Sequence, residues 1–177
     1  VIRLFVGLAL PADLAARLAA LAGGIPGARW LAARNLHVTL RFIGEVDEGV
    51  AEDLHQRLHD IHGPAFDVRL DGFGTFGGRK PRALWAGVAA HPELDSLQSR
   101  IEQAARDVGL EAESRKFTPH VTLAWLKAAP PERIAAFVAH HSPFTALLPV
   151  TGFTLYRSHL GGEGAEYEAL AEYFLDH

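Results

Sequence analysis

Two short strings place the same chemically capable side chains in the same order. His-Val-Thr-Leu occupies residues 37–40 and returns at 120–123, 83 positions later (120 − 37). Imidazole gains and loses a proton near neutral pH, and a threonine hydroxyl donates to an oxyanion. In "NLHVTLRFIG" (35–44), Leu36, Val38, Leu40 and Phe42 fall at every second position, as the buried side of a strand does. His37, Thr39 and Arg41 then share the other face, with His37 and Thr39 about 7 Å apart along the strand. In "TPHVTLAWL" (118–126), Val121, Leu123 and Trp125 form the apolar side and Thr118, His120 and Thr122 the other. A single strand histidine is ordinarily structural or merely exposed. A repeated string at matching places of two half-chains is what a site on a pseudo-two-fold axis requires. One neutral imidazole accepts a proton, a second protonated one donates, and the hydroxyls hold non-bridging oxygens. That set suits displacement at a phosphodiester.

The elements around these strings repeat in the same spirit. Ile2–Leu10 reads as a strand, followed by a helix with Pro11 at its start and Asp13 in its first turn. After the Leu36–Ile43 strand, "DEGVAEDLHQRLHDIHG" has helical spacing with Asp47 as N-cap and Gly63 as stop. "AFDVRLDGFGTFGG" is extended, "GGRKPRA" a basic loop and "ALWAGVAA" an apolar strand. Leu94, Leu97, Ile101, Ala104, Ala105 and Val108 mark an amphipathic helix that Gly109 ends. A proline-led helix over "PPERIAAFVAHH", one or two strands in "FTALLPVTGFTLYRSHL" and a turn at "GGEGAE" follow. "YEALAEYFL" is read as the last strand, although its composition suits a helix equally. The pattern predicts an α+β fold of two pseudo-symmetric lobes around a central cleft. Each lobe is a mainly antiparallel sheet with helices on its outer face. Residues 1–177 form one bilobal unit, with lobes of roughly 1–80 and 81–177 and strand exchange allowed at the ends.

Composition narrows the classes. The 177 residues suffice for one well-cored domain, and 49% hydrophobic with 21% charged residues is ordinary globular usage. A formal net charge of −4 argues against a broad duplex-binding surface while leaving room for a local basic cleft. No cysteine is present, so disulfide and thiolate chemistry are out, which suits a reducing compartment. Arg3, Pro11, Asp13 and Arg17 interrupt the apolar opening, so it reads as strand and helix rather than as an export signal. These features predict a protein of the cytoplasm with no membrane segment.

With "LHVTLRFIGEV" and "FTPHVTL" in place, the chain resembles the two-histidine phosphoesterases. The likeness is to their LigT-like branch, the RNA 2′,3′-cyclic phosphodiesterases. "PRALWAGV" and "LYRSHLGGEGAEYEAL" extend the resemblance over essentially the whole chain. The resemblance implies hydrolysis of RNA or nucleotide 2′,3′-cyclic phosphates to 2′-phosphates, without metal or other cofactor, and 2′-5′ RNA ligation in reverse. It implies His120 as the base that activates water, His37 as the acid on the departing 3′-oxygen, and Thr39 and Thr122 on the phosphate oxygens. The two motifs lie in one chain, so a monomer is expected.

Many relatives carry arginine where this chain has Trp125, which alternation directs to the core. Arg41, on the His37 face, is a candidate phosphate or nucleotide contact; its alternative is a solvated rim arginine. Arg79, Lys80 and Arg82 are candidates for a basic cleft mouth. Phe42 and Phe117, and with less reason Trp30 and Tyr156, are candidates to stack on a base; core packing is their alternative. His55, His59 and His62 have zinc-like helical spacing but no accompanying glutamate, and read as a solvated face. "DGFGTFGG" lacks the ending of a P-loop, and no serine sits in a nucleophile elbow. The rival to an enzyme is a module that binds nucleotide or RNA ends without turnover.

Overall fold

A computed structural model describes residues 1–161 and 164–176; two residues of the turn expected over 161–166 thus lie outside the described residues. In chain order it has β1 (Ile2–Ala9), α1 (Ala12–Ala19), β2 (Ala28–Trp30), a 3-10 turn (Ala33–Asn35), β3 (His37–Val46) and α2 (Glu48–His59). Then come β4 (Phe66–Phe76), β5 (Ala83–Val88), α3 (Pro92–Asp107), β6 (His120–Leu126) and α4 (Pro131–His141). The chain ends with β7 (Thr145–Val150), β8 (Gly152–Gly161) and β9 (Gly164–Phe174). The tail is therefore a strand: β9 pairs with β8 along its length, and that pairing decides what composition left open.

The fold is α+β, as the pattern predicts. All strand pairs between named elements are antiparallel, and the sheet order is β7-β4-β5-β6-β3-β1-β8-β9, with β2 beside β6. The two histidine strands, β3 and β6, meet at the middle. Four strands lie on either side of that seam, and β4 crosses from the first half of the chain to sit beside β5. β8 and β9 cross back to lie beside β1.

Periodicity explains which sheet face the helices cover. α3 buries Leu94, Leu97, Ile101, Ala104 and Ala105, and α1 buries Leu14, Ala15 and Leu18. They join Val38, Leu40, Val121 and Leu123 in the main core, at roughly 2 kcal/mol for each large aliphatic side chain removed from water. α4 lays Ile134 and Phe137 on a second cluster with Leu84, Ala124 and Leu126. Asp47 caps α2 as expected, its Oδ1 accepting from the Val50 N–H at 2.8 Å. With one face of the seam strands sealed by apolar side chains, their other residues are left for a cleft.

Candidate active site

The seam is fixed by the pairing of Val38 with Val121. Antiparallel register then sets His37 opposite Thr122 and Thr39 opposite His120, so the four side chains form a square on one face. Opposite neighbours in such a pair stand about 5 Å apart and diagonal ones about 7–8 Å. The histidines lie on one diagonal and the threonines on the other. All four line one cleft of about 900 Å³.

Each imidazole is oriented in the same way. His37 Nδ1–H donates to the Asn35 carbonyl at 2.8 Å, and His120 Nδ1–H donates to the Thr118 carbonyl at 2.6 Å. In both cases the acceptor is two residues earlier, which leaves Nε2 as the nitrogen that can accept a proton. The Thr39 hydroxyl donates to His37 Nε2 at 3.0 Å. Burial holds the His37 imidazole below its ordinary value of 6.5; the Asn35 carbonyl pulls the other way, and the charge of His120 adds to the lowering. Burial lowers His120 as well, against the Thr118 carbonyl. Aromatic rings wall both sides: Phe5 and Tyr167 lie 4.8 and 5.1 Å from the His37 ring, and Phe76 lies 4.8 Å from His120.

Strict alternation stops after each threonine. On β3, Val6 pairs with Arg41 but Gly7 with Thr39, leaving Leu40 as the extra residue of a bulge. On β6, Leu84 pairs with Ala124 but Trp85 with Thr122, leaving Leu123 extra. Leu40 with Arg41, and Leu123 with Ala124, are therefore buried in succession, and the next residue of each strand turns outward. Three expectations change for this one reason. Arg41 still lines the cleft, but its guanidinium is not free on the His37 face: it is buried toward α3, donating to Glu102 at 2.6 Å and to the Phe42 and Glu111 carbonyls at 2.6 Å each. Trp125 does not face the core but lines the cleft, 45% exposed. Phe42, apolar by alternation, lines the cleft too and is 41% exposed.

Phe117 and Arg82 also line the cleft, whereas Arg79 and Lys80 do not. Trp30 packs on Phe137 at 5.4 Å, and Tyr156 stacks on Phe5 at 4.9 Å. His55 Nδ1 meets the Tyr173 hydroxyl at 2.7 Å, a contact with the neighbouring strand. Sequence reasoning missed Arg3, Arg115, Lys116 and Tyr167 as cleft residues. Only the "RK" before "FTPH" was a usable signal, since proximity to His120 in sequence brings Arg115 and Lys116 near it.

The family model of the 2'-5' RNA ligase superfamily matches residues 10–162. The chain belongs to that superfamily. It is 31% identical over 177 residues to the RNA 2',3'-cyclic phosphodiesterase of Escherichia coli K12, covering 98% of this chain and 96% of that protein. Proteins of the same name from Aeropyrum pernix and Geobacillus stearothermophilus are 41% identical over 97 residues and 30% identical over 156. Those matches take in 54% and 84% of this chain and 55% and 48% of the relatives, so the chain spans about half the length of these two. Among solved structures, a Thermus thermophilus protein superposes with a TM-score of 0.82 at 26% identity, over 98% of this chain and 97% of that one. Escherichia coli LigT complexed with 3'-AMP gives 0.79 at 28% identity, over 99% of each. Among the described residues of this superfamily member, no helix is long and apolar enough to cross a membrane.

Proposed function

We propose that this chain hydrolyses RNA 2′,3′-cyclic phosphate ends to 2′-phosphate ends by metal-independent acid/base catalysis. The observation that carries the reading is the seam register, which sets His37 and His120 diagonally across one cleft with a threonine beside each. On this reading His120 Nε2 takes a proton from water as the water oxygen bonds to phosphorus. The bond from phosphorus to the 3′-oxygen breaks, and His37 Nε2 delivers a proton to that oxygen. Thr39 and Thr122 donate to the non-bridging oxygens. The assignment of acid and base follows the family resemblance, because the two-fold relation makes the histidines alike. Both imidazoles are held toward neutrality in the free protein, and the negative charge of a bound diester raises His37 toward its protonated form. When a 5′-hydroxyl replaces water as the nucleophile, the same displacement forms the bond from phosphorus to the 5′-oxygen, breaks the bond to the 3′-oxygen and so makes a 2′-5′ linkage. One copy supplies both motifs, so a monomer completes the site, with residues 1–177 acting as one bilobal unit of the cytoplasm.

The test is incubation of the purified protein, in chelator, with an oligonucleotide ending in a 2′,3′-cyclic phosphate. Release of a 2′-phosphate is expected. His37→Ala and His120→Ala should each fall about 10²- to 10⁴-fold with the fold intact, and Thr39→Ala and Thr122→Ala about 10- to 1,000-fold. A substrate with sulfur in place of the 3′-oxygen needs no acid, so it should rescue His37→Ala and not His120→Ala. Full activity in either histidine variant would overturn the chemistry. Substrate that stays bound and intact would make the protein a binding module.

A further inference from the structure

The two bulges turn one aromatic residue each into the cleft, and the two are not equivalent. Phe42 has the Arg3 guanidinium over its ring at 5.3 Å. Phe5 and Phe76 are engaged with Tyr156 and Trp85. Trp125 makes no ring–ring or cation–ring contact among the described residues, although it is nearly half exposed. A large π face without a ring or cation partner therefore opens onto the site.

Its position along the seam matters. Because β3 and β6 are antiparallel, travelling from His120 past Thr122 leads to the His37 end, and Trp125 lies three residues beyond Thr122, about 10 Å along the strand. Pairing of Trp125 with Arg29 on β2, just before the segment that leads into His37, fixes it there. Phe42 lies at the opposite end, beyond His120, where Phe117 also lines the cleft. In the mechanism above the 3′-oxygen departs toward His37, so the nucleoside that carries it lies toward Trp125.

We propose that Trp125 is the stacking platform for the base of the terminal, cyclic-phosphate-bearing nucleotide, and that it makes the protein prefer purine to pyrimidine ends. The proposal rests on the reading given under Proposed function for which end holds the nucleoside. Stacking on an aromatic side chain contributes about 1–3 kcal/mol per base, and a purine offers the larger face. It contributes to binding rather than to proton transfer, so its signature belongs in Kd and KM.

The test titrates the protein with adenosine 2′-monophosphate, cytidine 2′-monophosphate and inorganic phosphate, following tryptophan fluorescence and calorimetry. The adenine nucleotide should bind more tightly than the cytosine one and quench emission. Trp125→Phe should lose the quench yet bind within a few-fold of wild type, because phenylalanine still stacks. Trp125→Ala should bind both nucleotides about 5- to 150-fold more weakly and leave phosphate unchanged. An abasic ribose 2′,3′-cyclic phosphate should be turned over equally by wild type and Trp125→Ala. Equal affinity of wild type and Trp125→Ala for the adenine nucleotide, or an equal loss for inorganic phosphate, overturns the proposal. If no cyclic phosphate is hydrolysed but nucleotide affinity still depends on Trp125, the platform stands and the proposed reaction falls.

Discussion

Arg41→Met separates a clamp from a substrate contact. The guanidinium is 7% exposed and its partner Glu102 18%. It donates to both Glu102 oxygens, at 2.6 and 3.5 Å, and to the Phe42 and Glu111 carbonyls. Glu102 Oε1 also accepts from the Glu113 N–H at 3.0 Å. Burial pushes the Glu102 carboxyl up, but the Arg41 and Glu113 hydrogen bonds and the Arg41 charge outweigh it and leave it below the usual carboxylate value. Removing the cation strands a largely covered carboxylate and two carbonyls. Breaking a buried pair costs about 3–5 kcal/mol, and the partial exposure of Glu102 puts this case at the low end. About 3 kcal/mol lowers Tm by about 6–12 °C in a chain of this size. The double variant Arg41→Met, Glu102→Leu should recover much of the loss, since no charge is then left without its partner. The segment these bonds fasten carries Arg115, Lys116 and Phe117 on the cleft and the Thr118 carbonyl behind His120. KM should therefore rise more than kcat falls. Calorimetric melting and steady-state kinetics on a cyclic-phosphate end read both effects. An unchanged Tm with a hundredfold loss of kcat/KM would refute the clamp and make Arg41 a substrate ligand.

The pH dependence of kcat/KM should be a bell centred below 6.5, because the free protein holds both imidazoles below that value. A centre above 6.5 would show that another group titrates. Stability should follow the same direction. A histidine whose folded value is depressed binds its proton more readily when unfolded, so Tm should fall as pH drops below about 6.5 through the folded values. Gly74→Ala should also cost activity without touching the histidines. A Cβ there would run into the Trp85 ring, which lies beside Phe76 and 6.0 Å from His120. The displaced ring should lower stability by about 1–3 kcal/mol and disturb the His120 wall, seen as lost turnover with retained secondary structure by circular dichroism.

Much of this site was legible in one dimension because it is written twice. A duplicated His-x-Thr at period two implies a shared strand face, and duplication implies an axis. The pairing of Val38 with Val121 realises that arrangement. What alternation alone could not reveal is where it stops. A bulge is set by the partner strand: the extra residues Leu40 and Leu123 are defined only against Gly7 and Val6, and against Trp85 and Leu84. No local residue type announces them, since leucine and arginine or leucine and alanine are ordinary strand neighbours. A slip of one residue exchanges the side chains that follow it between faces, on β3 until a second slip at Ile43 restores the phase. It carries Arg41 to Glu102 and Trp125 to the cleft together.

That common cause links stability to specificity. The buried successors of the two bulges are Arg41 and Ala124, a charge on one strand and a small apolar residue on the other. The His120 strand thus needs only apolar packing beneath it, while the His37 strand is fastened through Arg41 and Glu102 to the loop that supports His120. The outward successors differ as well, an arginine-covered phenylalanine at one end and an open indole at the other. A pseudo-symmetric frame supplies two imidazoles in like surroundings; on the proposed reading, unlike side chains at the two bulges give its ends different partners. On the proposed mechanism acid and base need such a difference, because phosphorus meets water on one side and carries the departing nucleoside oxygen on the other.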